Sequence, residues 1–286
     1  LLGVQSGIPR SLWDQFNATG TSHIIVISGS NITLIAALLM VLGRKLVGFQ
    51  WAAPLAILGI GLYTLLVGAD AAVSRAALMG ALWVFAMWVG RPGAALNALV
   101  ASAIIMTAAN PLTLWDAGFQ LSFAATLGLI LFVPSLEAWT SGQLSRSLGD
   151  SGLRLALSLL REAVLVTLAA TLMTTPIIIY HFGRFSLIGL IANLLVVPVQ
   201  PLVMILGGLA TAGGLVWPPL GQLLAWLVWP PLAWTVWVVE TTARIPWASL
   251  ELERMPLWAV LGSYVLLGLG VWWRHLRITN RQAALS

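Results

Sequence analysis

Long apolar runs separated by short polar stretches dominate this chain. Hydrophobic segments follow one another at residues 24–43, 51–67, 72–89, 94–109, 119–134, 163–180, 185–211, 223–239 and 257–273. A helix needs about 20 apolar residues to cross a bilayer, so most segments are long enough, while 94–109 and 119–134 fall short at about 16 each. The pattern predicts an all-α polytopic membrane protein. We expect a bundle of about 7–10 transmembrane helices with broken or re-entrant segments.

Two further stretches are amphipathic at helical spacing. Residues 11–17 place Leu12, Trp13 and Phe16 on one side, and residues 154–162 place arginines beside leucines. Helices of this kind lie in the plane of the membrane interface with the apolar face buried. We therefore expect interfacial amphipathic helices at both places.

The chain is interpreted as one transmembrane domain, residues 1–286. Within it we assign an N-terminal interfacial segment to residues 1–22, the helical bundle to residues 23–273 and a tail to residues 274–286. The chain begins without methionine and without the layout of a signal peptide. We therefore expect it to be the membrane portion of a longer protein.

Composition supports the membrane interpretation and excludes several kinds of chemistry. The chain is 59% hydrophobic and 8% charged, against about 25% charged in an ordinary soluble domain. It contains no cysteine, which excludes disulfides, thiol catalysis and thiolate-bound zinc. It also lacks the GxxxxGK[ST] and HExxH motifs, and its three histidines are scattered. We expect no metal, no cofactor and no nucleotide hydrolysis.

The basic residues predict an orientation. Lys and Arg number 14 against 9 Asp and Glu, giving a net charge of +5. With nine crossings, Arg44, Lys45 and most other basic residues fall on one side, whereas Arg10, Arg184 and two others fall on the opposite side. Because cytoplasmic loops are enriched in Lys and Arg, the first side is predicted to be cytoplasmic. The N-terminal end would then be outside.

Polar residues cluster at the head of the first hydrophobic segment, in the string HIIVISGSN. His23 is followed by Ser28, Gly29, Ser30 and Asn31. Polar groups in hydrocarbon are costly and usually functional, and a half-helix beginning here would point free N–H groups at an anion such as phosphate. The same residues also fit simple packing of small side chains between helices. Both interpretations stay open.

A second cluster, GADAAVSRAALMG, lies at the entrance of the third segment. It contains Asp70, Ser74 and Arg75. An arginine at bilayer depth costs about 2.5–3.5 kcal/mol on insertion scales. Arg75 is therefore expected either to extend to the interface or to face a water-filled cavity, where it could contact phosphate.

A third cluster, NPLTLWDAGFQLSFAATLG, begins with loop signals and continues into the fifth segment. Asp116 belongs to the loop, and Gln120 and Ser122 belong to the segment. Positions i and i+2 do not share a helix face. The spacing predicts either local unwinding or different partners for Gln120 and Ser122.

The fourth cluster is YHFGRFSLIGLIANLLVVPVQPL. His181 and Arg184 lie in a short turn, Asn193 lies mid-segment, and Pro198 and Pro201 interrupt the run into half-helices of about 12 residues each. Interrupted segments mark the central site of many transporters, although a plain proline kink gives the same pattern.

These four clusters, in this order, resemble the competence domain of the ComEC family of DNA-uptake proteins. HIIVISGSNITLIAALL is similar to that family's His-x-x-x-Ile-Ser-Gly signature, with Asn31 where many members carry histidine. VSRAALMG, NPLTLWDAGFQLSFAATLGL and TLAATLMTTPIIIYHFGRFSLIGLIANLLVVP are similar to other parts of it. The resemblance covers about residues 5 to 275.

The resemblance implies a multi-pass channel of the bacterial cytoplasmic (inner) membrane that conducts single-stranded DNA during natural transformation. It implies that the membrane domain is not itself an enzyme. The implied partners are single-stranded DNA, membrane lipid, a soluble DNA-binding domain and a metallo-β-lactamase-like nuclease domain of the same protein, an outer-face DNA receptor and a cytosolic helicase-like motor.

A conduit for DNA needs a polar lining and contacts weak enough to release the strand. We expect the path to be lined by Ser28, Gly29, Ser30, Asn31, Ser74, Arg75, Gln120, Ser122 and Asn193. We expect its mouths and shape to depend on His23, Asp70, Asp116, His181, Arg184 and Pro198. None of these residues is assigned a catalytic role.

Two other functions fit parts of the pattern. A permease for a small organic anion would share the broken helices. An intramembrane serine hydrolase would use Ser28 as nucleophile with His23 or His181 as base.

Overall fold

The structure is a computed structural model that describes residues 7–25, 29–69, 71–90, 95–144 and 151–283. In this part of the chain the helices are α1 (Arg10–Ala18), α2 (Gly29–Val47), α3 (Phe49–Val67), α4 (Ala71–Trp88), α5 (Ala95–Ala109), α6 (Ala117–Leu144), α7 (Ser151–Phe182), α8 (Gly189–Val196), α9 (Gln200–Val216), α10 (Pro218–Ala243) and α11 (Leu257–Ala283). Short 3₁₀ turns lie at Ser22–Ile24, Pro111–Trp115 and Val197–Val199.

The prediction of an all-α polytopic membrane protein is confirmed. Within the described residues, five stretches are long and apolar enough to cross a membrane: Phe49–Val67, Ala117–Glu137, Ala163–Phe182, Gly189–Val216 and Pro218–Ala243. Shorter apolar helices occupy Val73–Trp88, Ala95–Ala109 and Leu257–Val271. The crossing number of about 7–10 stays a prediction.

The fifth hydrophobic segment is longer than its apolar core suggested. The sequence predicted a short element that stops at Pro134 and is re-entrant, broken or buried among other helices, but α6 continues through Pro134 to Leu144. Proline is tolerated inside membrane helices because neighbouring groups satisfy the freed backbone. Beyond the proline, the Arg161 guanidinium donates to the Glu137 carbonyl at 2.6 Å. The predicted end at Pro134 was therefore wrong, while the fourth segment, α5, is short as expected.

The second amphipathic stretch is not a separate interfacial helix. Residues 154–162 form part of α7, a continuous helix of 32 residues that carries on into the apolar span. A helix of this length extends about 48 Å, well beyond the hydrocarbon core of about 30 Å. The basic residues are thus explained as the polar extension of a membrane helix, and the prediction of a separate element was wrong.

The seventh segment is broken where proline predicted it, but unevenly. The helix pair is α8, with 8 residues, and α9, with 17, separated by the 3₁₀ turn at Val197–Val199. The expected halves of about 12 residues each were wrong because the segment starts later. Residues Arg184–Ser186 instead form strand β1, which pairs antiparallel with β2 (Ser249–Glu251).

This small sheet was not anticipated from the sequence. It joins the α7–α8 connection to the α10–α11 connection at one end of the bundle. Strands this short carry too little periodicity to be recognised. The sheet fixes the place where α8 begins.

The first amphipathic stretch forms α1, whose apolar side packs on the bundle. Phe16 is buried in a cluster with Val196 of α8 and with Val238 and Val239 of α10. Leu12 also packs against this cluster. Helix α1 therefore covers one end of the α8–α10 pair.

Helices α6 and α7 lie antiparallel and very close. A Cβ built at Gly128 of α6 would be 2.5 Å from the Ala169 carbonyl and 2.9 Å from Met173 Cγ of α7. Such small residues allow membrane helices to approach one another. This crossing places the N-terminal end of α6 beside the C-terminal end of α7.

Candidate functional site

Arg75 ties the start of α4 to the start of α6. Its side chain is only 3% exposed, and Nη1 donates to the Gly118 carbonyl at 3.1 Å. The guanidinium carbon lies 5.5 Å from the centre of the Phe123 ring, within the range of a cation–π contact. Asp116 adds a favourable electrostatic interaction. Arg75 is thus buried against α6, and its guanidinium is engaged by the Gly118 carbonyl and the Phe123 ring.

The loop before α6 is held by two side-chain caps. Asn110 Oδ1 accepts from the Leu112 N–H at 3.1 Å, and Asp116 Oδ1 accepts from the Phe119 N–H at 2.7 Å. These bonds satisfy donors at helix starts that would otherwise be free. Asp116, which is exposed, therefore shapes the entrance of α6, in agreement with its predicted place in a loop.

Gln120 and His181 connect α6 to α7 beside this loop. Gln120 Nε2 donates to the Leu114 carbonyl at 2.7 Å, so Gln120 Oε1 is left to accept from His181 Nε2 at 2.8 Å. The carbonyl of Ser122, two residues further on, accepts the Thr126 hydroxyl at 2.8 Å. Helix α6 is continuous here, and the Ser122 contact is made by its backbone carbonyl within the helix. The expectation of a different partner for the Ser122 side chain stays a prediction.

The bond between Gln120 and His181 predicts an energetic coupling. In a double-mutant cycle with Gln120→Leu and His181→Leu, we expect a coupling energy of about 0.5–1.5 kcal/mol, because each change removes the same hydrogen bond. The measurement is thermal unfolding of the purified protein in detergent. Gln120→Leu combined with Thr211→Ala, on the exposed part of α9, is the matched pair that should be additive. Additivity in the first pair would contradict the contact.

The serine-rich head of α2 is only partly described. Ser28 and Asp70 lie outside the described residues, and so does the side chain of Ser30. Helix α2 begins at Gly29, after the 3₁₀ turn at Ser22–Ile24, so the run is not one continuous helix from its first residue. Asn31 is half-buried.

Other predicted residues lie at element ends. His23 is exposed on the 3₁₀ turn Ser22–Ile24, and Arg184 is exposed at the start of β1. Ser74 Oγ donates to the Ala69 carbonyl at 2.8 Å, so this hydroxyl stabilises the start of α4. The roles of His23 and Arg184 at the mouths of a path, and of Ser74 in its lining, stay predictions.

A second polar group surrounds the break between α8 and α9. Trp234 of α10 donates its indole N–H to the Leu195 carbonyl at 3.1 Å. Gln200 Nε2 lies 3.4 Å from Thr235 Oγ1. These contacts bring the interruption at Pro198 against the part of α10 that contains two prolines. Backbone groups at a helix break need partners of this kind in a membrane.

Asn193 lies one turn before this break and is 9% exposed. Its amide oxygen has no hydrogen-bond partner among the described residues. A buried polar atom without a partner is uncommon and calls for a physical reason.

Six of the predicted residues therefore form two groups. The structure brings Arg75, Asp116, Gln120 and His181 together at the corner of α4, α6 and α7. Asn193 and Pro198 belong instead to the α8–α10 pair, and α7 and α8 pack against each other. Sequence reasoning missed Trp234, Gln200 and Thr235. The signal that could have found them is the Pro-Pro pair inside α10, which lies opposite the break at Pro198.

Comparison with known proteins identifies relatives. The family model described as Competence protein matches residues 1–277. ComE operon protein 3 of Bacillus subtilis (strain 168) is 32% identical over 196 residues, covering 68% of this chain and 23% of that protein. Competence protein ComA of Neisseria gonorrhoeae is 27% identical over 284 residues, covering 94% of this chain and 38% of that protein. The chain thus spans well under half the length of either relative. No solved structure is a significant match.

Proposed function

The chain belongs to the competence protein family, and from this premise we propose that it is a channel for single-stranded DNA in natural transformation. The observation that carries the proposal is the match over residues 1–277 to a family named for competence. The polytopic helical fold supplies what such a role needs, namely helices that cross a membrane and carry polar groups at depth.

Four polar residues of the described chain are proposed as part of the wall of the path. Asn31, Gln120, Ser122 and Asn193 offer amide and hydroxyl groups that contact a strand weakly, which suits conduction better than tight binding. Gln120 uses one N–H and one oxygen lone pair in its contacts with Leu114 and His181, and the second of each remains for a strand. We include Ser28, Gly29, Ser30 and Ser74 on the strength of their sequence positions. Arg75 is assigned a different part in this proposal, because its guanidinium is used in holding α4 to α6.

The mouths of the path are proposed at the ends of the helices that carry the wall residues. The exposed residues His23, Asp116 and Arg184 lie there, and His181 lies at the end of α7. Asp70 is added from its sequence position, and Pro198 is proposed to maintain the break in the wall.

The partners follow from the same premise. We propose that the longer protein adds a soluble DNA-binding domain and a metallo-β-lactamase-like nuclease domain, for which the additional length of the two relatives leaves room. An outer-face DNA receptor would supply the strand, and a cytosolic helicase-like motor would pull it. The membrane is proposed to be the bacterial cytoplasmic membrane, and the domain itself to have no catalytic role.

Transport of DNA labelled differently on its two strands tests the proposal. Cells that express the protein are expected to accumulate one strand, and cells that lack it neither strand. Transport of a small labelled organic anion, unaffected by DNA and without strand uptake, would instead establish a permease. Covalent labelling of Ser28 by a fluorophosphonate would establish the hydrolase, for which His181 would have to leave Gln120.

A further inference from the structure

The amide oxygen of Asn193 is buried, and the described residues around it do not supply a hydrogen bond to replace the one it would make with water. Its side chain is 9% exposed, and its Oδ1 finds no hydrogen-bond partner in the described part of the chain. Burying an amide oxygen without a partner destabilises the state in which it occurs. Any state in which Asn193 contacts water or a ligand would give this oxygen a hydrogen-bond donor and remove that cost.

The residues on either side of Asn193 along its face of α8 both lie against the N-terminal segment. Gly189, Asn193 and Val196 are spaced i, i+4 and i+7, so they share one helix face. A Cβ built at Gly189 would lie 3.2 Å from the Thr19 carbonyl. Val196 packs in the cluster that contains Phe16. On this face, therefore, both neighbours of Asn193 lie against residues 10–25, which we call the cover segment.

The cover segment joins the bundle through apolar packing. Phe16 is 5% exposed in the cluster with α8 and α10, and Leu12, Ile24 and Ile25 pack against the same cluster. Apolar packing is non-directional and requires no specific partner atoms. Contacts of this kind can separate without leaving a donor or acceptor unpaired.

The polar groups of the cover segment are satisfied internally. Thr19 and Thr21 are fully buried, and their hydroxyl oxygens lie 2.7 Å apart. Thr19 Oγ1 also donates to the Gln15 carbonyl at 2.9 Å. These bonds lie within residues 15–21, so they would be kept if the segment separated from the bundle as one unit.

We propose that the cover segment is a lid over Asn193, and that lifting it opens the α8–α10 side of the path to water and to the strand. The part of this inference that concerns DNA rests on the proposed function. The movement itself does not, and it can be measured without DNA.

The experiment uses the full protein in membranes, with Asn193→Cys as the reporter and a water-soluble methanethiosulfonate as the reagent. The described chain has no cysteine of its own, so any cysteine in the remainder of the protein is first replaced by serine. Phe16→Ala removes a large buried ring from the lid contact, and the labelling rate at position 193 is expected to rise about tenfold or more. Glu253→Cys, at an exposed position outside the proposed path, is the matched control and should be labelled at the same rate with and without Phe16→Ala.

A disulfide provides the opposite test. A Cβ built at Gly20 lies 3.1 Å from Ser186 Cβ, so a small shift gives the separation of about 3.5–4.5 Å that a disulfide bridges. Gly20 has a φ of +66°, which strains any side chain there, and the reduced form of the same double variant is therefore the reference. With Gly20→Cys and Ser186→Cys oxidised, labelling at position 193 is expected to fall about tenfold or more below the rate without the bridge. This second experiment does not depend on how well the Phe16→Ala variant folds.

An unchanged labelling rate at position 193 with the bridge closed would overturn the lid, and so would no labelling in any background. If the bridged protein lost strand transport and a reductant restored it, DNA passage would also require the lid to open. Failure of the proposed function would instead be seen as no strand transport in the unmodified protein, with the labelling results unaffected.

Discussion

Replacing Arg75 by alanine is expected to lower the thermal stability of the purified domain and to abolish DNA uptake. The substitution removes a hydrogen bond to the Gly118 carbonyl and a contact with the Phe123 ring, both made by a side chain that is 3% exposed. A hydrogen bond from a charged group contributes about 1.5–3 kcal/mol, and a desolvated cation–π contact about 2 kcal/mol. Since these contacts hold α4 to α6, we expect a loss of about 2–4 kcal/mol.

Arg75→Lys is the matched variant, because it keeps the charge and loses the planar group that lies over the ring. We expect an intermediate melting temperature and partial uptake. Uptake and stability should fall together across the two variants. If uptake were lost while the melting temperature stayed at the wild-type value, Arg75 would contact DNA directly and its assignment as a helix clamp would be wrong.

Alanine at Gly128 is expected to destabilise the protein, although alanine usually favours a helix over glycine by about 0.5–1 kcal/mol. The added methyl group would lie 2.5 Å from the Ala169 carbonyl, a backbone atom that cannot rotate away. Overpacking of this kind costs about 1–3 kcal/mol. The measurement is the melting temperature in detergent together with the amount of protein in the membrane.

Gly262→Ala on α11 is the control, because a Cβ built there meets nothing within 4 Å. It should leave the melting temperature unchanged or raise it slightly. Equal effects of the two substitutions would show that α6 and α7 are further apart than the structure places them.

The sequence predicted the helices well because apolar runs are a strong signal over long stretches. The nine hydrophobic segments correspond to α2, α3, α4, α5, α6, α7, the α8–α9 pair, α10 and α11. The sequence did not predict where an element begins or ends when that boundary depends on tertiary contacts. The extension of α6 past Pro134 is one such end, and the sheet at Arg184–Ser186 is another.

The sequence identified the site residues by their type, but it did not predict which of them contact each other. Asp116, Gln120 and His181 were identified because polar groups in apolar sequence are unusual, and the structure shows them close together. Their pairing could not be predicted, since residues 120 and 181 lie on different helices. The role of Arg75 was also beyond the sequence, because burial of a guanidinium depends on the Gly118 carbonyl and the Phe123 ring.

The contacts of the cover segment next to Asn193 could not be predicted from the sequence either. The amphipathic pattern of residues 11–17 predicted a helix with one apolar side, and α1 is such a helix. Which surface that side would meet was not encoded in the pattern. The partner surface, Val196 with Val238 and Val239, comes from two other helices.

Site-specific photocrosslinking in transforming cells asks whether a DNA strand passes through this domain. A photoreactive residue replaces Asn31 or Gln120, which are half-buried, with Leu266 on α11, which is 71% exposed, as the outward control. We expect crosslinks to one strand of incoming labelled DNA at the first two positions and none at the third. Absence of crosslinks at all three positions, in cells that still take up DNA, would contradict a path through this domain.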